Sequence, residues 1–224
     1  MDPVEIAHPR SQMKIQSAAP GKTVWLRAGV HLAGLLPLAQ LAYFRAADRL
    51  TANPILFTEQ LLGRAALHLL VLTLAVTPVV ALTGWHALAR HRRTFGLYAF
   101  GYFGLHFLAF AVLDYGLDWG EILRLTAEKP FILAGLAAGL ILSVLAVTSF
   151  DFWKKATGRN WKRLHRAVSL AGVLAVLHYA LAVKGSLSTL SGNILRPLFF
   201  GLLVLVLLVL RLPPVRQWAA RLRS

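Results

Sequence analysis

Six long apolar stretches constrain this sequence more than any other feature. Each contains about 20 mainly apolar residues, the length that an α-helix needs to cross a hydrocarbon core about 30 Å thick. Only 15% of the 224 residues are charged, whereas soluble domains have about 25%. The connecting segments are short. The sequence therefore predicts an all-α, polytopic membrane protein, a bundle of six transmembrane helices near residues 24–44, 63–84, 95–115, 130–150, 164–184 and 195–212.

The expected domain organisation is one membrane domain with two short tails. The tails would comprise residues 1–22 and 213–224, and the transmembrane domain residues 23–212. The first 22 residues are polar and have no apolar core of the kind found in signal peptides, so we expect the first apolar stretch to remain as a helix. The sequence has no cysteine, which excludes disulfides, thiolate metal sites and covalently attached c-type heme.

The charge distribution predicts the orientation of the helices. The formal net charge is +15. When alternate loops are assigned to opposite sides, one side has 17 Lys and Arg against three acidic residues, and the other has seven against six. This asymmetry is the positive-inside pattern, so both termini are expected in the cytoplasm. We expect the basic residues mainly to fix the orientation of the helices in the membrane, and secondarily to contact anionic membrane lipid. Binding of nucleic acid is not expected.

Three histidines have nearly the same predicted depth in the membrane. A rise of 1.5 Å per residue places His106 about 17 Å, His68 about 20 Å and His178 about 21 Å from the inner edge. Ionisable residues at this depth usually face a bundle interior and have a function. Two neutral imidazoles from different helices can ligate one heme. The alternative for His106 and His178 is a polar contact between helices, and for His68 a supporting or packing role is favoured over ligation.

A second group of polar residues lies closer to the inner edge. His165 precedes His178 by 13 residues, about 20 Å of helical rise, which would suit two stacked cofactors. At about 100° per residue the two histidines do not share a face, so an inner cofactor on His165 requires a rotated or unwound helix start. Arg92 does share a face with His106. His165 could also be an ordinary interface histidine, and His31, about 12 Å deep, is either a packing or a functional residue.

An ordered set of motifs resembles the MsrQ (YedZ) family, which belongs to the broader ferric-reductase-like transmembrane group. The resemblance extends over about residues 24–212. The motifs are HLAGLLP (31–37), LGRAAL (62–67), RRTFGLYAFGYFGLH (92–106), KPFILAGL (129–136), TSFDFWKKATGRNWKRLH (148–165) and LHY (177–179).

This resemblance implies a membrane heme-binding subunit of a periplasmic protein-methionine-sulfoxide reductase system. It implies six helices in the bacterial inner membrane, one or two b-type hemes, and FMN, which rests on the resemblance alone. Electrons would pass from quinol to a periplasmic molybdopterin-containing partner that reduces methionine sulfoxide in oxidised proteins. The heme histidines of the family fall on His106, His165 and His178. The arginine at the foot of the third helix falls on Arg92, as an inner-site ligand or a heme propionate partner. His68 and His31 complete the cofactor-binding candidates.

The sequence also departs from the ferric reductases of this group. Those proteins have paired histidines on the third and fifth helices, whereas here the inner position of the third helix is Arg92 or Arg93. They also carry a soluble flavin and nicotinamide domain. We therefore expect an electron-transfer subunit rather than a catalytic one, with a docking face formed by the loops near 114–129 and 185–194. The alternatives are a stand-alone transmembrane reductase of a small acceptor, and a heme-free transporter or scaffold.

Overall fold

The computed structural model describes residues 20–183, 185–186, 191–215 and 217. Most of the two predicted tails and part of the predicted docking loop near 185–194 lie outside these residues. Ten α-helices occur in the described part of the chain: α1 Pro20–Ala46, α2 Pro54–Thr83, α3 His86–Ala89, α4 Arg92–Leu108, α5 Trp119–Glu128, α6 Pro130–Val147, α7 Asp151–Thr157, α8 Asn160–Leu164, α9 Val168–Ala182 and α10 Leu195–Val209.

Four further short elements lie among the described residues, in addition to the helical residues 213–215 and 217. A π-helical segment, Ala109–Asp114, continues α4, and a 3₁₀ turn, His165–Ala167, joins α8 to α9. Two antiparallel strands of two residues each, β1 Gly185–Ser186 and β2 Ser191–Gly192, lie between α9 and α10.

Among the described residues, five helical segments are long and apolar enough to cross a membrane: Val24–Ala46, Pro54–Thr83, Arg92–Asp114, Pro130–Val147 and Asn160–Ala182. This confirms the predicted all-α, multi-pass membrane fold. The sixth apolar helix, α10, has 15 residues, fewer than the roughly 20 that a perpendicular span needs. The six-span count and the cytoplasmic location of the termini stay predictions, so we refer below to the predicted cytoplasmic and periplasmic sides.

The centre of the bundle is formed by two helix pairs. Helix α2 packs most extensively on α4, and α6 on α9. Leu70 and Leu74 of α2, Ala99 of α4 and Ala171 of α9 are almost completely buried. Helix α1 packs against α2 and α4, and α10 against α9 and α2. The four central helices are therefore the scaffold on which functional side chains can be held.

Helix α1 contains Pro37, which cannot donate a backbone hydrogen bond and disturbs the turn before it. The hydroxyl of Tyr102, on α4, bridges the backbone at this point. It accepts a hydrogen bond from Leu38 N at 3.2 Å and donates one to Gly34 O at 2.7 Å. A side chain from α4 thus completes the backbone hydrogen bonding of α1 beside its proline.

Helix α2 contains Pro78, which leaves the carbonyl of Leu74 without its usual helical donor. Arg211, just after α10, supplies a replacement: its Nε donates to Leu74 O at 3.1 Å. The same guanidinium donates to Thr73 O at 3.4 Å and to Ser169 Oγ at 3.3 Å. Within lipid, where water cannot satisfy backbone groups, this contact ties the end of α10 to α2 and α9.

Candidate heme-binding site

His106 of α4 and His178 of α9 face each other, as their common predicted depth suggested. Their ring centroids are 6.1 Å apart and their planes are inclined by 74°. Two imidazoles that bind one metal ion, each at about 2.0–2.1 Å from the metal, have centroids roughly 6 Å apart. The spacing is therefore that of two axial ligands on opposite sides of one iron atom.

The hydrogen bonds of these two rings fix which nitrogen is free. His106 Nδ1 lies 3.0 Å from Glu59 O, and His178 Nδ1 lies 2.7 Å from Phe131 O. A carbonyl oxygen can only accept, so each Nδ1 carries the proton and each neutral ring keeps the lone pair on Nε2. Metal-bound histidines typically donate their second N–H to such a carbonyl. Both rings therefore have the tautomer that an iron ligand needs.

Two glycines leave room for the histidine rings. Gly63 follows Glu59 by one helical turn, and Gly135 follows Phe131 in the same way. A Cβ at Gly63 would lie 3.3 Å from the His106 ring, and a Cβ at Gly135 would lie 2.6 Å from His178 Nδ1. Each glycine thus allows a histidine to approach a backbone carbonyl that a larger side chain would shield.

The two halves of this site repeat at a constant offset of 72 residues, from 106 to 178, from 59 to 131 and from 63 to 135. The completely buried Ala99 and Ala171 have the same offset. The pair α2 and α4 is therefore matched by the pair α6 and α9. The sequence analysis did not identify this repeat, because its period is longer than the 20–50 residues typical of repeat proteins.

The helix that carries His106 has an irregular end. Beyond α4 the chain continues as the π-helical segment Ala109–Asp114, a conformation found mainly at functional sites. Close to it, Oε1 of Glu59 is buried without a hydrogen-bond partner among the described residues. Among the residues that the structure describes, no three His, Cys, Asp or Glu side chains are grouped to hold a metal ion. Two histidines are the axial ligand set found in bis-histidine hemes.

His165 has a different environment at the predicted cytoplasmic end. It lies in the 3₁₀ turn between α8 and α9, so the unwound helix start that an inner cofactor requires is present. Its Nε2 is 3.2 Å from Thr148 Oγ1, whose hydroxyl donates to Val144 O at 2.7 Å. Nε2 must therefore donate to Thr148, which is the opposite tautomer from His106 and His178. Trp161 stacks on His165 with centroids 4.1 Å apart.

The two arginines at the start of α4 point to different partners. Arg92 donates to Thr77 Oγ1 of α2 at 2.9 Å. The guanidinium of Arg93 lies 5.8 Å from the ring centroid of Phe150. Arg93 precedes His106 by the same 13 residues that separate His165 from His178. The described residues show no hydrogen bond between either arginine and His165, so an inner site at Arg92 or Arg93 stays a prediction.

The two remaining candidates contact other residues. His68 packs against Phe200 of α10, with ring centroids 5.2 Å apart. His31 of α1 is hydrogen-bonded through Nδ1 to the Tyr98 hydroxyl at 2.9 Å. Sequence reasoning did not identify Tyr98, Thr148 or Gly63 as partners of histidines. The repeat offset is the signal that would have identified Gly63.

Known proteins are similar to this chain over most of its length. The family described as "Ferric reductase like transmembrane component" matches residues 62–184, which include both facing histidines and His165. No solved structure matches the chain.

Several bacterial relatives share most of the chain, and each is named protein-methionine-sulfoxide reductase heme-binding subunit MsrQ. The Bordetella pertussis protein is 41% identical over 177 residues, 79% of this chain and 84% of its own. The Herminiimonas arsenicoxydans protein is 37% identical over 92% of this chain and 91% of its own. The Cronobacter sakazakii protein is 36% identical over 87% and 94%. By these similarities the chain belongs to the MsrQ family, within the ferric-reductase-like transmembrane proteins.

Proposed function

We propose that this protein is a b-type cytochrome subunit that passes electrons across the bacterial inner membrane, with His106 and His178 as the axial ligands of the heme. The observation that carries the proposal is the facing imidazole pair, with centroids 6.1 Å apart and each Nδ1 held by a carbonyl. The relatives' names, which describe heme-binding subunits, support it.

The bound heme would supply one-electron transfer, and with both axial positions filled it would not bind oxygen. The chain's own residues hold and orient the two ligands. Glu59 O and Phe131 O fix the ring tautomers, and Gly63 and Gly135 give the rings space. Because the two ligands lie on α4 and α9 and the groups that hold them on α2 and α6, the scaffold fixes the ligands before any heme arrives.

We propose quinol as the electron donor and, as the acceptor, a periplasmic molybdopterin-containing methionine-sulfoxide reductase that repairs oxidised proteins. The relatives are named as heme-binding subunits of a protein-methionine-sulfoxide reductase, and the positive-inside pattern favours cytoplasmic termini. Helix α5 would then lie on the periplasmic side. Trp119 and Leu123 of α5 are 54% and 68% exposed, beside a charged stripe in which Arg124 pairs with Glu121 and Glu128. This mixed surface supports the role of residues 114–129 in docking the reductase.

A second heme at the predicted cytoplasmic end would use His165 with Arg92 or Arg93. That heme would require the ring to release Thr148 and present a lone pair to iron. FMN is an expectation from the resemblance alone, and none of the described contacts indicates a site for it.

The experiment is a dithionite-reduced minus oxidised spectrum of the detergent-purified protein, with heme counted per chain. His178→Ala and His165→Ala are compared with His86→Ala, a change at an exposed position away from the site. We expect a low-spin b-type α band in the parent and in His86→Ala, and its loss in His178→Ala. Retention of the full heme content in His165→Ala would indicate a single heme.

A colourless protein from heme-replete cells would contradict the proposal and favour the heme-free transporter or scaffold. A heme protein that reduces small acceptors equally well without a periplasmic partner would instead favour the stand-alone reductase. No contact among the described residues argues specifically for either alternative.

A further inference from the structure

A groove of about 680 Å³ runs between α1 and α4. Its lining combines five polar residues with a row of leucines. The polar residues are His31, Arg93, Thr94, Tyr98 and Tyr102, and the leucines are Leu38, Leu97 and Leu105. From Arg93 to Leu105 the groove follows α4 for twelve residues, about 18 Å of rise. It therefore extends from the predicted cytoplasmic end of α4 to the residue next to His106.

His31 and Tyr98 form a fixed pair within this groove. His31 Nδ1 is 2.9 Å from the Tyr98 hydroxyl, and the two rings meet edge to face with centroids 5.9 Å apart. The Tyr98 ring lies over Gly34 of α1, where a Cβ would be only 2.5 Å from it. A side chain at that position would displace the tyrosine, so the glycine lets α1 hold it in place.

The pair has spare hydrogen-bonding capacity. Tyr98 is the one hydrogen-bond partner of His31 among the described residues, which leaves Nε2 to bind another group. If Nδ1 donates to the phenol oxygen, the free groups are the Nε2 lone pair and the O–H; in the other tautomer they are Nε2–H and an oxygen lone pair. In either state the pair offers one donor and one acceptor. Polar groups at membrane depth without a partner are costly, which favours a polar ligand here.

The position of the pair indicates the class of that ligand. With the predicted orientation His31 lies about 12 Å inside the hydrocarbon core, too deep for a phospholipid headgroup. The ligand must have a compact head that can both donate and accept hydrogen bonds, and an apolar tail that fits along leucine side chains in a groove open to lipid. A quinol has these properties, since its head carries two hydroxyl groups and its tail is an isoprenoid chain.

We propose that the α1–α4 groove is the quinol-oxidation site of this protein, with His31 and Tyr98 binding the quinol head. The proposal rests on the proposed function for its electron acceptor. Tyr98 and His106 are eight residues apart on α4, about 12 Å of rise. A head bound at Tyr98 would therefore be close enough to a heme on His106 for direct electron transfer.

Oxidation of one quinol breaks two O–H bonds and converts two C–O bonds into the C=O bonds of the quinone. The His31–Tyr98 pair takes up one of the two protons as imidazolium, and the second leaves to water at the Arg93 end of the groove. The two electrons would leave one at a time, because a heme held by His106 and His178 would accept one electron and pass it to the acceptor protein before it could take the second.

The test measures binding of decylubiquinone to the detergent-purified protein by calorimetry, alongside heme reduction by decylubiquinol. His31→Leu and Tyr98→Phe are compared with the exposed-site control His86→Leu. Tyr98→Phe keeps the ring packed on Gly34 and removes only the hydroxyl, so it tests binding with the fold intact. We expect about tenfold weaker binding in both groove variants, slower reduction by quinol, and an unchanged dithionite-reduced spectrum.

Equal affinity of the parent and both groove variants for decylubiquinone would overturn the proposal. The proposal would also be overturned if the parent bound phosphatidylglycerol but not the quinone, and if the phosphatidylglycerol binding were lost in Arg93→Leu. If the parent lacks the heme band but binds the quinone, and both groove variants lose that affinity, the quinol site stands and the proposed cytochrome function is refuted. If the parent has the heme band but does not bind the quinone, the cytochrome function stands and the quinol site is refuted.

Discussion

The replacement Gly135→Ala tests whether glycine makes room for a heme ligand. The added Cβ would lie 2.6 Å from Nδ1, 2.9 Å from Cε1 and 3.1 Å from Cγ of His178. Carbon and nitrogen atoms do not approach so closely, so the imidazole must turn or move away. Because Nδ1 is the atom nearest the new methyl group, the hydrogen bond to Phe131 O is the first interaction to be lost.

The size of the effect follows from that bond. Loss of one hydrogen bond costs about 1 kcal/mol, and disturbing the groups that orient a metal ligand typically lowers metal affinity 10–100-fold. We therefore expect Gly135→Ala to bind heme about tenfold more weakly. Alanine is favoured over glycine in a helix by about 1 kcal/mol, so the backbone of α6 should not be weakened. Reduced heme affinity without loss of helical structure distinguishes a local effect on the ligand from general destabilisation.

Two other glycines provide a graded control. At Gly63 the nearest His106 atoms would be 3.3 Å from a Cβ, and at Gly104 no atom lies within 4 Å. Titration of the three alanine variants with hemin, after removal of bound heme in detergent, should give affinities in the order Gly104→Ala, Gly63→Ala, Gly135→Ala, from tightest to weakest. Three equal affinities would refute the reasoning, because the predicted crowding differs at the three positions.

Two further predictions concern groups outside the candidate heme site. Arg211→Met should lower the free energy of unfolding in detergent by about 1–3 kcal/mol, because it leaves the Leu74 carbonyl unsatisfied. In a Pro78→Ala background, where residue 78 again has a backbone N–H, Arg211→Met should lower the free energy of unfolding by less. An equal decrease in that background would contradict the assigned role of Arg211. On α5, the hydrogen bond from Arg124 lowers the pKa of Glu121. Its stabilising effect is thus present above the ordinary pKa of about 4.3 and is lost as the pH falls through the lowered pKa. NMR titration should show Arg124→Gln returning the Glu121 pKa toward its ordinary value, and an unchanged pKa would count against this ion pair.

Depth along a helix was readable from the sequence, because the rise per residue is constant. His106 and His178 were expected at one level, and their ring centroids are 6.1 Å apart. The direction in which a side chain points around its helix was harder to predict from the sequence. His68 has nearly the same predicted depth, but it packs against Phe200 of α10. Hydrophobic patterning in a membrane bundle has little contrast between lipid-facing and buried sides, so it does not orient such a residue.

Backbone partners were not predictable from residue types. The carbonyls of Glu59 and Phe131 bind the two histidines, and any residue there would supply a carbonyl. What the sequence does encode is the absence of a side chain one turn later, at Gly63 and Gly135. The repeated spacing of glycine and histidine, at an offset of 72 residues, is the sequence signal that indicates the paired site.

Local irregularity explains the remaining differences. The start of the fifth predicted helix breaks into α8, the 3₁₀ turn with His165, and α9, although the sequence pattern alone reads as a continuous apolar run. The last apolar stretch was expected over 195–212, whereas α10 ends at Val209. The assigned roles of all six candidate residues stay predictions for the experiments above: His106, His178, His165, Arg92, His68 and His31.

The tyrosine whose hydroxyl completes the backbone hydrogen bonding of α1 also has a consequence for insertion of this protein into the membrane. Ribosomes produce α1 long before α4, so α1 first enters the membrane with its proline break unrepaired. The hydroxyl that bridges Gly34 O and Leu38 N belongs to Tyr102 and becomes available only after three segments have been inserted. Until then the polar backbone of α1 near Pro37 must be shielded by the insertion machinery or by water. The first helix to be synthesised therefore cannot form its final backbone hydrogen bonds until α4 has been inserted and has packed against it.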